Sequence, residues 1–179
     1  MSEHQDARQF GTPTVHKTAF VARGTSIIGD VQIGEHASIW FNCVLRGDVQ
    51  RIVVGARTNI QDGSILHGTT NGSPTLVGSQ VTVGHGVILH ACTIEDLAFV
   101  GFGARVLDNA IVRTGGMLAA GAVLTPGKVV GSGELWAGNP AKLLRPLTEQ
   151  ERAGMATSAD RYVALAERYM FSRPVVMHF

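Results

Sequence analysis

Charge of one sign is missing from this sequence: 15 Lys and Arg stand against 14 Asp and Glu, a formal net charge of +1. So even a balance offers no electrostatic footprint for nucleic acid or for an anionic membrane surface. Long apolar runs are missing as well, and no stretch approaches the roughly 18 to 20 residues that a helix needs to cross a bilayer. Cysteine is scarce. Cys43 and Cys92 make no disulfide framework, so a reducing, cytoplasmic setting is expected. The opening Met1-Ser2-Glu3-His4-Gln5-Asp6 lacks the basic-then-apolar layout of a secretory signal. No nucleophile turn of the G-x-S-x-G kind, phosphate loop or basic stripe is present. What remains is 179 residues, 45% of them hydrophobic and 16% charged, which reads as a single domain over 1–179 with its own core.

Glycine, in contrast, is abundant at 22 residues, and a repeat explains it. An aliphatic residue recurs every sixth position at Val15, Val21, Ile27, Ile33, Ile39 and Leu45, then at Val54, Ile60 and Leu66, then at Val77, Val83 and Leu89. The longest run is Ile94, Val100, Val106, Val112, Leu118, Leu124 and Val130, with Trp136 in the next slot. Gly often follows an anchor directly, as at Gly34, Gly55, Gly78, Gly84 and Gly101, and small residues such as Ala98 and Ala104 tend to stand two places before one. The steps from Leu45 to Val54, Leu66 to Val77 and Leu89 to Ile94 break the period.

A period of six fits neither a helix face nor an alternating strand. It fits a three-sided prism of short strands, one inward anchor per side, whose coils stack as parallel strands about 4.8 Å apart. Gly or Asn supplies the corners. The pattern resembles the left-handed parallel β-helix family, and six to seven coils are expected over residues 12–140. Ala137 to Ala141 reads as a turn. Thr148-Glu149-Gln150-Glu151 is a capping box opening a helix over 148–171, ended by Pro174. Met155, Ala159, Tyr162, Val163, Ala166, Tyr169 and Met170 share one face of that helix, which should lie along a side of the prism.

The repeat also gives each histidine an address. His67 directly follows anchor Leu66, and His90 directly follows Leu89, three anchors and therefore one coil later. Their backbones should lie roughly 5 Å apart. His85 stands two places after Val83, one side of the prism earlier, and cannot readily meet the other two within one chain. A neighbouring copy could bring its own His85 to the pair. Three imidazoles with an open fourth position are the layout of a catalytic zinc site, and a repeated heterologous contact that closes makes a ring, here of three. His4, His16, His36 and His178 lack such register. Arg46 follows Leu45 and lies one coil below His67, while Gln61 and Asp62 follow Ile60, which puts Asp62 one coil below His85. Arg46 can pair with Asp62 across a subunit boundary or with Asp48 locally.

Arg46-Gly47-Asp48, Asn59-Ile60-Gln61-Asp62-Gly63, His67, Gly84-His85 and Leu89-His90 together resemble the gamma-class carbonic anhydrases over about residues 12 to 171. The resemblance implies a homotrimeric lyase that reversibly hydrates carbon dioxide to bicarbonate. It implies Zn2+, with Fe2+ or Co2+ as alternatives, held by His67 and His90 of one chain and His85 of the next. Arg46 is implied to place bicarbonate and to pair with acids near the interface, Asp48 and Asp62 among the candidates, and Gln61 to orient the activated water. Tyr162 matches a family tyrosine near the metal, although Ala164 stands where an Asn is expected. Two further departures are Val49, where the archetype has Glu, and the loop Gly68-Thr69-Thr70-Asn71-Gly72-Ser73-Pro74, which carries no carboxylate to relay protons. Hexapeptide acyltransferases that use coenzyme A end on a turn resembling Trp136-Ala137-Gly138-Asn139-Pro140-Ala141-Lys142. That group, acyl-CoA thioesterases and a catalytically silent trimeric scaffold are the alternatives.

Overall fold

The computed structural model describes residues 11–172, so His4, Pro174 and His178 lie outside the described residues. Short strands wind into a parallel β-solenoid of about seven turns, followed by one helix. Strands one coil apart pair in register: Thr82–Val83 lies between Asn59–Ile60 and Phe99–Val100, with Ile60, Val83 and Val100 stacked. The hydrogen bonds therefore run along the prism axis, from coil to coil, and each turn covers the one below.

Burial follows the repeat. Each anchor from Ile33 through Val130 is at most 3% exposed, and a second inward position two residues earlier holds Val31, Cys43, Val87, Cys92 and Ala104 among others. Val15 and Val21 depart from the expected inward, covered position, at 41% and 39% exposure. They belong to the first described coil, where Thr14–Val15 pairs with Ser26–Ile33 and Phe20–Val21 with Ser38–Ile39, and among the described residues no further coil covers them.

Corners are built differently from the expectation. A left-handed residue recurs three places after an anchor, at Asn42, Gly63, Gly86 and Asn109, but also at Arg57, Gln80 and Leu97. Tertiary pairing on both sides thus imposes a conformation that these side chains disfavour in isolation. The glycines that follow anchors serve another purpose: a Cβ on Gly55 would lie 2.4 Å from the carbonyl carbon of Gly78 on the next coil. The broken steps are also explained. Val44–Val54 is one strand that runs across a corner, with Asp48 to Arg51 bulging opposite Asp30. Together with Ser26–Ile33 it joins two faces of the prism into an 11-stranded sheet, and the third face is an 8-stranded one. The short step after Leu89 turns at Ala91, also left-handed.

At the far end the expected turn is the tip of an antiparallel hairpin, Glu134–Gly138 with Ala141–Pro146. The sequence reading missed its second strand because Leu143 and Leu144 are 54% and 62% exposed and follow no inward period. The helix spans Glu149–Ser172. Its capping box is formed: the Glu151 amide donates to Thr148 Oγ1 at 3.2 Å, and the Thr148 amide to Glu151 Oε2 at 2.8 Å. Tyr162 and Tyr169 pack edge-on against Trp40, which directly follows Ser38–Ile39 of the 8-stranded sheet, with centroids 5.5 and 5.2 Å away. Met170, assigned to the packed face, is instead 38% exposed. Among the described residues no helix is long and apolar enough to cross a membrane.

Two predictions arise here. Burial pushes the Cys43 thiol up to about 11 and raises Cys92 further still. Both thiols should therefore resist iodoacetamide at pH 8 in the folded protein and react fully in guanidinium, as counted by mass spectrometry. Glu151 is held down to about 2, first by Arg145 and then by the Thr148 amide. A depressed carboxyl stabilises the fold above its unfolded value of about 4.5 and loses that contribution as pH falls towards 2. Amide protection in the first helical turn, relative to intrinsic exchange, should fall across that window, and the fall should vanish in Glu151→Gln.

Candidate metal centre

Arg46, His67 and His90 stand in one column on the outside of the prism, each the residue after an inward leucine. Arg46 pairs in register with His67, and His67 with His90. Their side chains form a continuous chain of contacts. Arg46 Nη1 donates to Asp48 Oδ2 at 2.6 Å, and Asp48 Oδ1 lies 3.1 Å from His67 Nε2. His67 Nδ1 lies 3.3 Å from His90 Nε2, and His90 Nδ1 lies 2.7 Å from Asp108 Oδ1. The Thr69 hydroxyl donates to the other oxygen of Asp108.

The carboxylates decide where the imidazole protons are. Burial pushes the Asp48 carboxyl up, but hydrogen bonds from Arg46 and His67 outweigh it and hold Asp48 below the usual range. Asp108 is held below that range by the Thr69 hydroxyl first and His90 second. Both are ionised near neutrality and only accept. A neutral ring donating to each carboxylate carries its proton on His67 Nε2 or His90 Nδ1, which leaves His67 Nδ1 and His90 Nε2 facing each other at 3.3 Å, each with a lone pair. Two facing lone pairs repel unless a proton or a cation lies between them. A tetrahedral zinc ion with bonds of about 2.0 to 2.1 Å sets its ligand nitrogens roughly 3.3 to 3.4 Å apart, so the pair matches two ligands of such a site.

His85 is elsewhere. It occupies the corner between Thr82–Val83 and Ile88–His90, where Gly86 adopts φ +67°. Its Nδ1 lies 2.8 Å from Asp62 Oδ2, its side chain is half exposed, and its ring stands 5.1 Å from Phe102. Asp62 takes one nitrogen and leaves Nε2 outward. Gln61, next to Asp62, is 2% exposed. Its Nε2 donates to Asn59 Oδ1 at 2.9 Å, and a buried ladder continues from Asn59 through Thr82 to Ser158 of the helix. Among the described residues nothing donates to Gln61 Oε1. Gln61 and Tyr162 line a groove of about 430 Å³ between prism and helix, with Phe99, Phe102 and Leu165. Burial and the charge of Asp62 push the Tyr162 hydroxyl up.

The candidate residues thus fall into two clusters, which would be half-sites of a centre shared between copies. One holds Arg46, Asp48, His67 and His90; the other holds Gln61, Asp62, His85 and Tyr162. Among the described residues no three metal-binding side chains converge within the chain. Within the chain Arg46 pairs with Asp48, and Asp62 pairs with His85. Two residues of the first half-site escaped the sequence reading, Asp108 and Thr69. Asp108 was within reach of the repeat: it stands two places after Val106, whose strand pairs with that of Leu89 one coil below.

A prism of hexapeptide coils with a docked helix defines the hexapeptide-repeat class. A solved structure described as a hexapeptide transferase family protein from Anaplasma phagocytophilum shares it, at 53% identity and a TM-score of 0.86 over 89% of this chain and 93% of that one. Among curated proteins, Gamma carbonic anhydrase 2, mitochondrial, of Arabidopsis thaliana is 50% identical over 161 residues, 87% of this chain. The chain spans only 58% of that plant protein's length. A protein named Carbonic anhydrase from Geobacillus kaustophilus is 44% identical over 158 residues, covering 88% of this chain and 86% of its own. No protein-family model matches. The chain belongs to the gamma-class carbonic anhydrase family.

Proposed function

We propose that the protein is a metal-dependent lyase that interconverts carbon dioxide and bicarbonate, at a site closed between copies of itself in a homotrimer. The observation that carries this reading is the facing pair of carboxylate-backed nitrogens on His67 and His90. His85 carries the same backing from Asp62. Aspartate behind each imidazole fixes which nitrogen is bare, as at histidine-rich metal sites generally. His67 and His90 would hold the ion together with His85 of the neighbouring copy, and Zn2+ suits three imidazoles, with Fe2+ and Co2+ as the other candidates. When bound, such an ion makes water a nucleophile near neutral pH.

The chain's own residues supply the rest. Arg46, steadied by Asp48, presents a guanidinium beside the pair, where it can place the bicarbonate anion by charge-assisted hydrogen bonds. Gln61 Oε1, buried and lacking a donor among the described residues, is an acceptor suited to orient the attacking water from the His85 side. Phe99, Phe102 and Leu165 give that side an apolar wall suited to carbon dioxide. The reading assigns the protein to a reducing compartment, the cytoplasm, where Cys43 and Cys92 stay thiols.

Stopped-flow hydration of carbon dioxide tests it, on protein loaded with zinc or iron and with His90→Ala as control. Activity that disappears in the variant is expected. Zinc occupancy should also fall at acid pH, because the ligand nitrogens must be unprotonated. The alternative of a coenzyme A-dependent transferase draws support from the name of the Anaplasma relative, a hexapeptide transferase family protein. Heat on titrating acetyl-coenzyme A into the zinc-free protein would favour it, and hydration inactivity at full zinc occupancy would leave a scaffold.

A further inference from the structure

The loop that interrupts the repeat after Leu66 carries no carboxylate, yet it is fastened to the turn after Val106, two coils above. The Thr69 hydroxyl donates to Asp108, and the Ser73 hydroxyl lies 2.5 Å from Asn109 Oδ1. The Thr75 hydroxyl donates to the carbonyl of His67 at 2.5 Å. The fastening falls on the residue that faces His90 from the next coil, since Asp108 Oδ1 is 2.7 Å from His90 Nδ1. Both Asp108 oxygens are therefore engaged, one by the imidazole and one by the loop. A carboxylate with neither oxygen free is poorly placed to pass protons to solvent, but it is well placed to hold a ring in one orientation.

We propose that Asp108 is the positioning residue of the metal centre, holding His90 with Nε2 bare towards the ion, and that Thr69 acts through it by locking the carboxylate. The loop then serves to organise a ligand. This rests on the reading of His67 and His90 as ligands. Removing the acceptor frees His90 to carry its proton on Nε2 and to rotate, both of which oppose coordination.

The test is zinc affinity by competition with a chromophoric chelator, on the full-length protein, with Co2+ absorption as a second readout. Asp108→Ala should weaken zinc binding about 10- to 100-fold and alter the cobalt bands, while the melting curve of the metal-free protein stays in place. Thr69→Val should weaken binding less. The double variant should bind no worse than Asp108→Ala alone, because Thr69 has nothing to act through once Asp108 is gone. Wild-type affinity in Asp108→Ala, with affinity lost in His90→Ala, overturns this inference and leaves the ligand assignment standing. Wild-type affinity in both variants overturns the two together. A weakening by Asp108→Ala that tracks an equal loss of metal-free stability assigns Asp108 a structural role and also counts against the proposal.

Discussion

Co-refolding His85→Ala with His90→Ala chains should restore roughly a quarter of the tight zinc sites that each variant alone lacks, if a closed trimer shares each site between neighbours. The fraction follows from counting. An intact site needs His67 and His90 from a His85→Ala chain and His85 from a His90→Ala chain, and random mixing at equal ratio meets each condition half the time. The geometry behind this is the separation of the half-sites: His85 is held by Asp62 at one corner, while His67 and His90 are held by Asp48 and Asp108 along the neighbouring face. Each half keeps its backing aspartates in the variant that lacks the other half, so neither needs rebuilding. Zinc would be counted after gel filtration, which also reports whether the species is a trimer. A mixture that binds no more zinc than its parents would place all ligands of a site in one chain.

The second large effect is on stability. Leu66→Ala should cost about 2 to 5 kcal/mol, whereas Ile65→Ala should cost under about 1 kcal/mol in the isolated chain. These neighbours point opposite ways from one strand: Leu66 is fully buried between Leu45 and Leu89, and Ile65 is 42% exposed. A cavity in the middle of an anchor ladder is hard to close, because the leucines above and below are fixed by their own strand pairing. Denaturant melts at matched protein concentration measure both. Equal costs at the two positions would refute the inward reading of the repeat. Leu66→Ala also loosens Ile65–His67, the strand that carries His67, so its zinc affinity should fall with stability. That sets it apart from Asp108→Ala, where only affinity falls.

Much of this architecture was legible in the residues. Each anchor from Ile33 to Val130 is buried, and counting anchors placed His67 beside His90 across a gap in sequence that would otherwise hide the pairing. Such counting works because a solenoid is nearly one-dimensional: the neighbour of a residue is the residue one coil away, and a regular period makes that distance readable. Where the period breaks, reading fails. The bulge at Asp48 to Arg51 and the hairpin strand Ala141–Pro146 follow no inward alternation, and neither was placed correctly.

Side-chain direction was the other limit. Arg46 had two candidate partners by register, Asp48 and Asp62, and spacing alone could not choose between them. Within one chain the fold supplies Asp48, because the bulge turns that carboxylate back onto the column, while the coil above Asp62 presents His85 to it at 2.8 Å. Asp108 and Thr69, from the next coil and an irregular loop, meet His90 only once the loop is folded over. Backbone address, then, belongs to the sequence, since it depends only on the number of residues per coil. Which nitrogen of each histidine is left bare belongs to the tertiary structure, since it depends on which carboxylate arrives behind the ring.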